Sequence, residues 1–309
     1  MYIIGENIQI ISNVVRKAVG ERDAKPLQKM AKRQVERGAQ MIDLNIGRRK
    51  KDGHEAMPWL VEVIHEVVPD AALSLDTTNA AAIEAGLKRC QELGIEALIN
   101  STSADPERLE ATMPLAAEYG SKIIALTMVK SIPATADGRV QLAMEVILPK
   151  AMELGVPMEN VYLDPLVMTV KGMQDHAPEN LNAIRMFKIL SDPPPMTVVG
   201  LSNVSNGVPE ENRSLINRTF LVMLLAAGLD SAIADPLDEA QNEVIRIIEE
   251  RDTSTAVGQL LVNLYDATAA MEELDPSLVD MGDPEQTAIY KTLQILNDEV
   301  IFADSYLRM

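Results

Sequence analysis

Cysteine is almost missing from this chain: Cys90 is the one example in 309 residues, and it lies in a helical pattern. A single cysteine excludes an internal disulfide and leaves no cysteine cluster for zinc or an iron–sulfur centre. The three histidines, His54, His65 and His176, are far apart in sequence and lack the i, i+4 spacing of a helical metal site. No metal of the protein's own is therefore expected. Positive charge is also in short supply, with 28 Lys and Arg against 46 Asp and Glu, a formal net charge of −18. A nucleic-acid or anionic-membrane surface needs clustered cations, so neither partner is expected. No apolar run is long enough to span a bilayer and no signal peptide stands out, which makes a reducing, cytoplasmic setting the expectation. No Gly-x-Gly-x-x-Gly turn follows any strand, which weighs against a dinucleotide-binding open sheet.

What the chain does have is an alternation of short apolar runs and amphipathic stretches. Buried parallel strands read as short apolar runs rather than alternating ones. Four such runs stop at small hydrogen-bonding side chains: Leu73-Ser74-Leu75 at Asp76, Ala97-Leu98-Ile99 at Asn100, Val161-Tyr162-Leu163 at Asp164, and Val198-Val199-Gly200-Leu201 at Ser202-Asn203. Runs at 2–6, 41–45, 123–127 and 231–234 complete eight. Between them lie helical patterns with start and stop signals, such as Asp23 as a cap, Pro26 in the first turn, and Gly38, Gly94 and Gly155 as stops. Eight strand–helix units in about 250 residues predict an α/β chain folded as a (β/α)₈ TIM barrel. Residues 251–309 are additional and predict two amphipathic helices, at about 256–274 and 287–306, forming a C-terminal helical extension packed on the barrel. Leu260, Leu261, Leu264, Tyr265 and Met271 give its first helix an apolar face for its own barrel or for a second subunit. The preceding helix ends on the face opposite the active rim, so the extension should begin far from the site, in a structural or oligomer-forming role.

In barrels of this kind the chemistry sits at the C-terminal ends of the strands. Asp76, Asn100, Asp164, Ser202 and Asn203 should therefore share one mouth. Neither a nucleophilic cysteine nor a Ser/His/Asp order can be assigned there, and no lysine is placed for a Schiff base. The set suits a flat heterocycle with several N–H groups. A carboxylate accepts two parallel hydrogen bonds from an aminopyrimidinone edge, and carboxamides serve both donors and acceptors. A single strand-end carboxylate as often caps a helix or ties a loop, and Asp43 and Asp235 are read that way.

At these residues the sequence resembles the methyltetrahydrofolate:corrinoid protein methyltransferases, pterin-binding barrels related to the folate domain of methionine synthase and to dihydropteroate synthase. The resemblance runs from Tyr2 to about Glu250 and resumes from Asn297 to Met309. It is carried by IIGE at 3–6, IDLNIG at 42–47, LSLDTTN at 73–79, LINST at 98–102, LTM at 126–128, YLDPL at 162–166, QDHAPE at 174–179, GLSNVS at 200–205, NRSLINRTF at 212–220 and AIAD at 232–235. The resemblance implies pterin contacts at Asp76, Asn100 and Asp164, with Gly200 and Ser202 adjacent. It implies Asn203 beside the reactive N5, with Asn203 and Asp164 as catalytic residues, and Arg213 in the site. Tetrahydrofolate and its 5-methyl form would be the substrates. The cobalt would arrive in a corrinoid (a cobalamin) on a partner, either a corrinoid iron–sulfur protein or a corrinoid protein of a demethylase system, and a homodimer is the expected assembly. The chain departs from the family after the first strand, where Gly-Glu-Arg-x-Asn is replaced by Gly5-Glu6-Asn7-Ile8-Gln9. Its loop from Asn203 to Arg213 is longer, and the segment from about Arg251 to Asp298 has no counterpart in short members. Two other readings stand beside this one. A dihydropteroate synthase would need cations for a pyrophosphate leaving group, commonly Ser-Arg-Lys where this chain has Ser202-Asn203-Val204. A non-catalytic pterin-binding module would need only the polar ring. The cationic run Arg48-Arg49-Lys50-Lys51 follows the second strand on the same rim. It reads as a solvated loop, or as an anchor for the glutamate tail of folate or for an acidic partner.

Overall fold

All eight apolar runs form strands in the computed structural model, which describes residues 1–307. They are β1 (Tyr2–Gly5), β2 (Met41–Asn45), β3 (Ala72–Asp76), β4 (Ala97–Ser103), β5 (Lys122–Leu126), β6 (Val161–Asp164), β7 (Met196–Gly200) and β8 (Ser231–Ala234). Each pairs in parallel with the next, and β8 pairs with β1, closing the barrel. Arg308 and Met309, the end of the predicted extension, lie outside the described residues.

The pleat sorts side chains by parity. Ile4, Met41, Ala72, Leu98, Ile124, Tyr162 and Val198 pack together as the filling of the barrel. Their neighbours one step along, such as Ile42, Leu73, Ile99 and Ile123, pack outward against the helices. Two residues beyond each inward apolar side chain the strand reaches the mouth. This parity brings Glu6, Asp43, Ser74, Asn100, Asp164, Gly200 and Asp235 to the inward face.

The helices follow from local signals. Asp105 accepts hydrogen bonds from the backbone N–H groups of Glu107 and Arg108 and so caps Pro106–Tyr119. Asp238 caps Glu239–Glu250 through Gln241. After β1 the sequence signals one helix from Asp23, and the structure has two, Asn13–Glu21 and Ala24–Glu36. Arg22, left-handed at φ 57°, separates them. After β5 the sequence predicts a helix from about Arg139 to Leu154, and the structure has one from Ala136 to Glu153 that carries one π turn at Ala143–Ile147. Among the described residues no helix is long and apolar enough to cross a membrane.

The extension contributes Ala256–Ala270 and Pro284–Leu296, both laid on Glu210–Ala226, the helix after β7. Leu260, Leu261, Leu264, Ile289, Leu293 and Leu296 share a core with Phe220, Leu224 and Ile248 of the barrel helices. Its helices are shorter than their patterns suggest. Met271, at φ 59°, ends the first and stands 76% exposed rather than on the buried face. Asp298, at φ 61°, turns the chain after the second, so the segment to Tyr306 is not helical but crosses to the loop after β6.

Candidate functional site

A cavity of about 510 Å³ opens where the strands end. Its floor carries Asp43 from β2, Asp76 from β3, Asn100 from β4 and Asp164 from β6. Its β7 side carries Gly200, Ser202, Asn203 and Asn206, and Glu6 and Gln9 complete the wall near β1. Leu166 to Thr169, in the loop after β6, form an apolar side. Among the described residues no Lys or Arg lines this cavity. Nor does any cluster of three His, Cys, Asp or Glu have the geometry to hold a metal ion.

The floor is a hydrogen-bonded plate. The Ser74 hydroxyl donates to Asp43 Oδ1 at 2.6 Å, and Asn100 Nδ2 donates to the same oxygen at 3.1 Å. Asn45 donates its amide N–H to Asp76. Burial raises the pKa of both carboxyls. Asp76 lies well above the usual range because the charge of Asp43 adds to burial. Arg108 is the cation opposing that shift. It does so from outside the cavity, where its guanidinium donates to the carbonyls of Ser101, Thr77 and Thr78 and staples the loop after β3 to the end of β4.

Asp164 is 8% exposed, and burial raises its pKa to about 7, with the backbone N–H of Leu166 (2.7 Å) and the charge of Arg139 pulling it down. Arg139 itself is fully buried, and its Nη2 donates to His176 Nδ1 at 2.6 Å. Burial and that neighbouring guanidinium lower the pKa of His176. Glu6 accepts a hydrogen bond from the Ser202 hydroxyl at 2.5 Å. Burial lifts its carboxyl to about 7, and Asp235 and Asp43 push the same way against Ser202 and Arg213.

On the β7 side the strand turns into a short 3₁₀ segment, Leu201–Ser205, which lifts Asn203 into the opening. Asn206 Nδ2 donates to Asn203 Oδ1 at 3.1 Å. A Cβ on Gly200 would stand 2.8 Å from Asn203 Nδ2, so a side chain there would push this carboxamide from its place.

Of the predicted residues, Asp76, Asn100, Asp164, Gly200, Ser202 and Asn203 come together on the cavity wall. Arg213 does not. It starts from the helix Glu210–Ala226 and pairs with Ser205 (3.3 Å) and Glu210 (3.4 Å), outside the lining but close enough for its charge to act on Glu6. Asp43 needs the opposite correction, because it lines the cavity instead of tying a loop. Asp235 behaves as read, accepting from Asn7 Nδ2 and the Leu237 N–H at 2.9 Å each. Glu6 and Asp43 were accessible to the parity rule, since Ile4 and Met41 two residues earlier face inward. Of the cationic run, Arg49 pairs with Asp52 at 2.5 Å, while Arg48, Lys50 and Lys51 are exposed and line no part of the cavity.

The pattern of the family described as pterin binding enzyme matches residues 12–235. The chain belongs to this family. It is 29% identical over 240 residues to a methylcorrinoid:tetrahydrofolate methyltransferase of Eubacterium limosum, covering 76% of this chain and 85% of the relative. It is 29% identical over 301 residues to a methionine synthase of Mycobacterium tuberculosis, covering 91% of this chain but only 25% of that much longer protein. Among solved structures, a dihydropteroate synthase of Yersinia pestis aligns with a TM-score of 0.58 at 16% identity, over 81% of this chain and 93% of that one. One from Coxiella burnetii aligns at 0.57 and 13%, over 82% and 94%. At such identities these two speak for the barrel alone.

Proposed function

We propose that this chain is a methyltransferase that exchanges a methyl group between N5 of tetrahydrofolate and the cobalt of a corrinoid carried by a separate protein. One observation carries the reading: the cavity wall is made of carboxylates, carboxamides and apolar groups, with no cation among the described residues. Such a wall suits a pterin edge rich in N–H groups and an N5 that takes up a proton or a hydrogen bond as its methyl leaves. It does not suit a pyrophosphate leaving group, which a dihydropteroate synthase must stabilise. The methyltransferase relative supports the same choice.

In this reading Asp76, Asn100 and Asp164 hold the pterin through its donor edge, where charge-assisted hydrogen bonds are strongest. Asn203 stands beside N5. A tertiary amine is a poor leaving group, so N5 must be protonated or strongly hydrogen-bonded as the methyl departs. The Asn203 carboxamide meets charge that develops only in the transition state, which is where binding raises the rate. Asp164 and Glu6, both raised to about 7 by burial, are wall groups able to hold the required proton at physiological pH. The methyl acceptor arrives with the partner, and this chain's part is to bind, orient and protonate the pterin.

The test combines the purified chain, 5-methyltetrahydrofolate and reduced corrinoid proteins of the two classes, followed by corrinoid absorbance. Transfer to either class supports the proposal. Absence of transfer to both, together with dihydropteroate formation from a pterin pyrophosphate and 4-aminobenzoate, would replace it with the synthase reading.

A further inference from the structure

The QDHAPE segment, 174–179, is a motif that the pterin site itself does not use. Its first residue, Gln174, is 7% exposed and spends its whole carboxamide on the C-terminal tail. Gln174 Nε2 donates to Asp298 Oδ1 at 2.7 Å and to the Val300 carbonyl at 2.8 Å, and its Oε1 accepts from the Phe302 N–H at 2.7 Å. Further along, Lys171 faces Asp304 at 3.4 Å. Tyr306 anchors the far end through its hydroxyl on Gln294, and Leu307 is buried in the core of the extension. The tail is therefore a strap fixed at both ends and clasped in the middle.

What the strap holds is one wall of the cavity. The loop after β6 runs from Leu166 and Thr169, which line the cavity, to the clasp at Lys171 and Gln174. Thr169 Oγ1 donates to the Asn206 carbonyl at 2.6 Å, and Lys171 Nζ donates to the Gly207 carbonyl at 3.0 Å. The Asn206 side chain then donates to Asn203 Oδ1. A line of polar contacts thus leads from Asp304 of the tail, through Lys171, Thr169 and Asn206, to the Asn203 carboxamide, while Gln174, three residues beyond Lys171, clasps the tail to the same loop.

We propose that the C-terminal strap is a positioning element of the site, and that Gln174 and Asn206 act through Asn203 by fixing which end of its carboxamide faces the substrate. With Oδ1 engaged by Asn206, the Asn203 N–H groups are the end left to meet the N5 lone pair. The inference rests on the methyltransferase reading for the role of Asn203. It also modifies the expected role of the extension, which begins at the far end of the barrel and returns to the mouth.

The experiment is a double-mutant cycle read by single-turnover methyl transfer and by titration of 5-methyltetrahydrofolate binding. Gln174→Ala and, separately, Asn206→Ala should each slow transfer about tenfold, the worth of one orienting hydrogen bond, while pterin affinity changes less than about threefold. Combined with Asn203→Ala, neither should slow transfer further, because the group they position is gone. A merely structural role predicts instead the same loss in both backgrounds, or parallel loss of affinity and melting temperature, and either result overturns the proposal. So does transfer within twofold of wild type in either folded single variant. Asn206 is exposed, so its variant keeps the test decisive if Gln174→Ala does not fold. If the unmodified chain itself transfers no methyl group, the functional reading fails, and that outcome is visible in the control before any variant is compared.

Discussion

The floor of the cavity and its β7 side are built on different principles. Asp43, Asp76, Asn100 and Asp164 are strand-end residues whose direction is set by the barrel pleat, and their side chains hydrogen-bond within the plate or to adjacent backbone. Asn203 stands on a 3₁₀ turn, is exposed, and has Asn206 on its Oδ1 and the space over Gly200 beside its Nδ2. All three floor carboxyls hold raised pKa values, burial being the first cause in each and the charge of Asp43 adding to it at Asp76. The β7 side is built of neutral amides and hydroxyls apart from Glu6. A rigid, preorganised floor suits recognition of a ground state. An adjustable amide suits a charge that appears only during reaction.

The largest expected effect lies on the β7 side. Asn203→Ala should slow single-turnover transfer by roughly 10²–10³, by analogy with loss of an oxyanion-hole donor, and leave 5-methyltetrahydrofolate affinity nearly unchanged. The division of labour fails if affinity falls as far as rate. Next comes the floor. Asp76→Ala or Asp164→Ala should weaken pterin binding by about 2–3 kcal/mol, the cost of deleting a hydrogen-bond partner from a buried polar set. Calorimetric titration of the folded variants separates this from loop anchoring, which would lower the melting temperature and spare affinity.

The floor was also the part of the site most legible in the sequence. Apolar runs closed by Asp76, Asn100 and Asp164 announced both the strands and the mouth, because a strand's last inward residue has nowhere else to go. Eight such runs were enough for the barrel. Glu6 and Asp43 obey the same parity but were hidden, Glu6 by a departure from the family pattern just after it and Asp43 by sitting two residues inside its run. Arg213 pairs with Ser205 and Glu210 and does not line the cavity, because a helix residue's direction depends on its partners, which no periodicity reveals. The strap was misread for a related reason. Phe302 and Tyr306 continue the apolar pattern of the preceding helix, but the left-handed Asp298 and the clasp at Gln174 claim that segment first.

A smaller effect concerns stability. Asp164 has a folded pKa of about 7 against an ordinary value of 3.8. A carboxyl with a raised folded pKa destabilises the fold as pH rises from its unfolded to its folded value, because the unfolded chain releases the proton first. Asp164→Asn keeps an acceptor for the Leu166 N–H and removes the charge. It should raise the melting temperature by about 5 °C at pH 8, and the gain should vanish near pH 4. A gain of equal size at both pH values would mean that burial of charge is not its source.

The smallest effect concerns the rim outside both regions. Arg48, Lys50 and Lys51 are exposed and form no ion pair among the described residues, in a protein of net charge −18. Arg49 is already engaged with Asp52. Three cations on the rim after β2 can attract either an anionic substrate tail or an acidic partner surface, and exposed charges act mainly on encounter and on salt dependence. Replacing Arg48, Lys50 and Lys51 by Gln should raise KM about threefold at low salt for whichever species they attract, and flatten its dependence on ionic strength. Comparing mono- and polyglutamylated 5-methyltetrahydrofolate at fixed corrinoid protein, and then varying the corrinoid protein at fixed folate, assigns the effect to one of the two. Unchanged KM for both at low salt would leave these residues as a solvated loop and confine recognition to the floor and the β7 side.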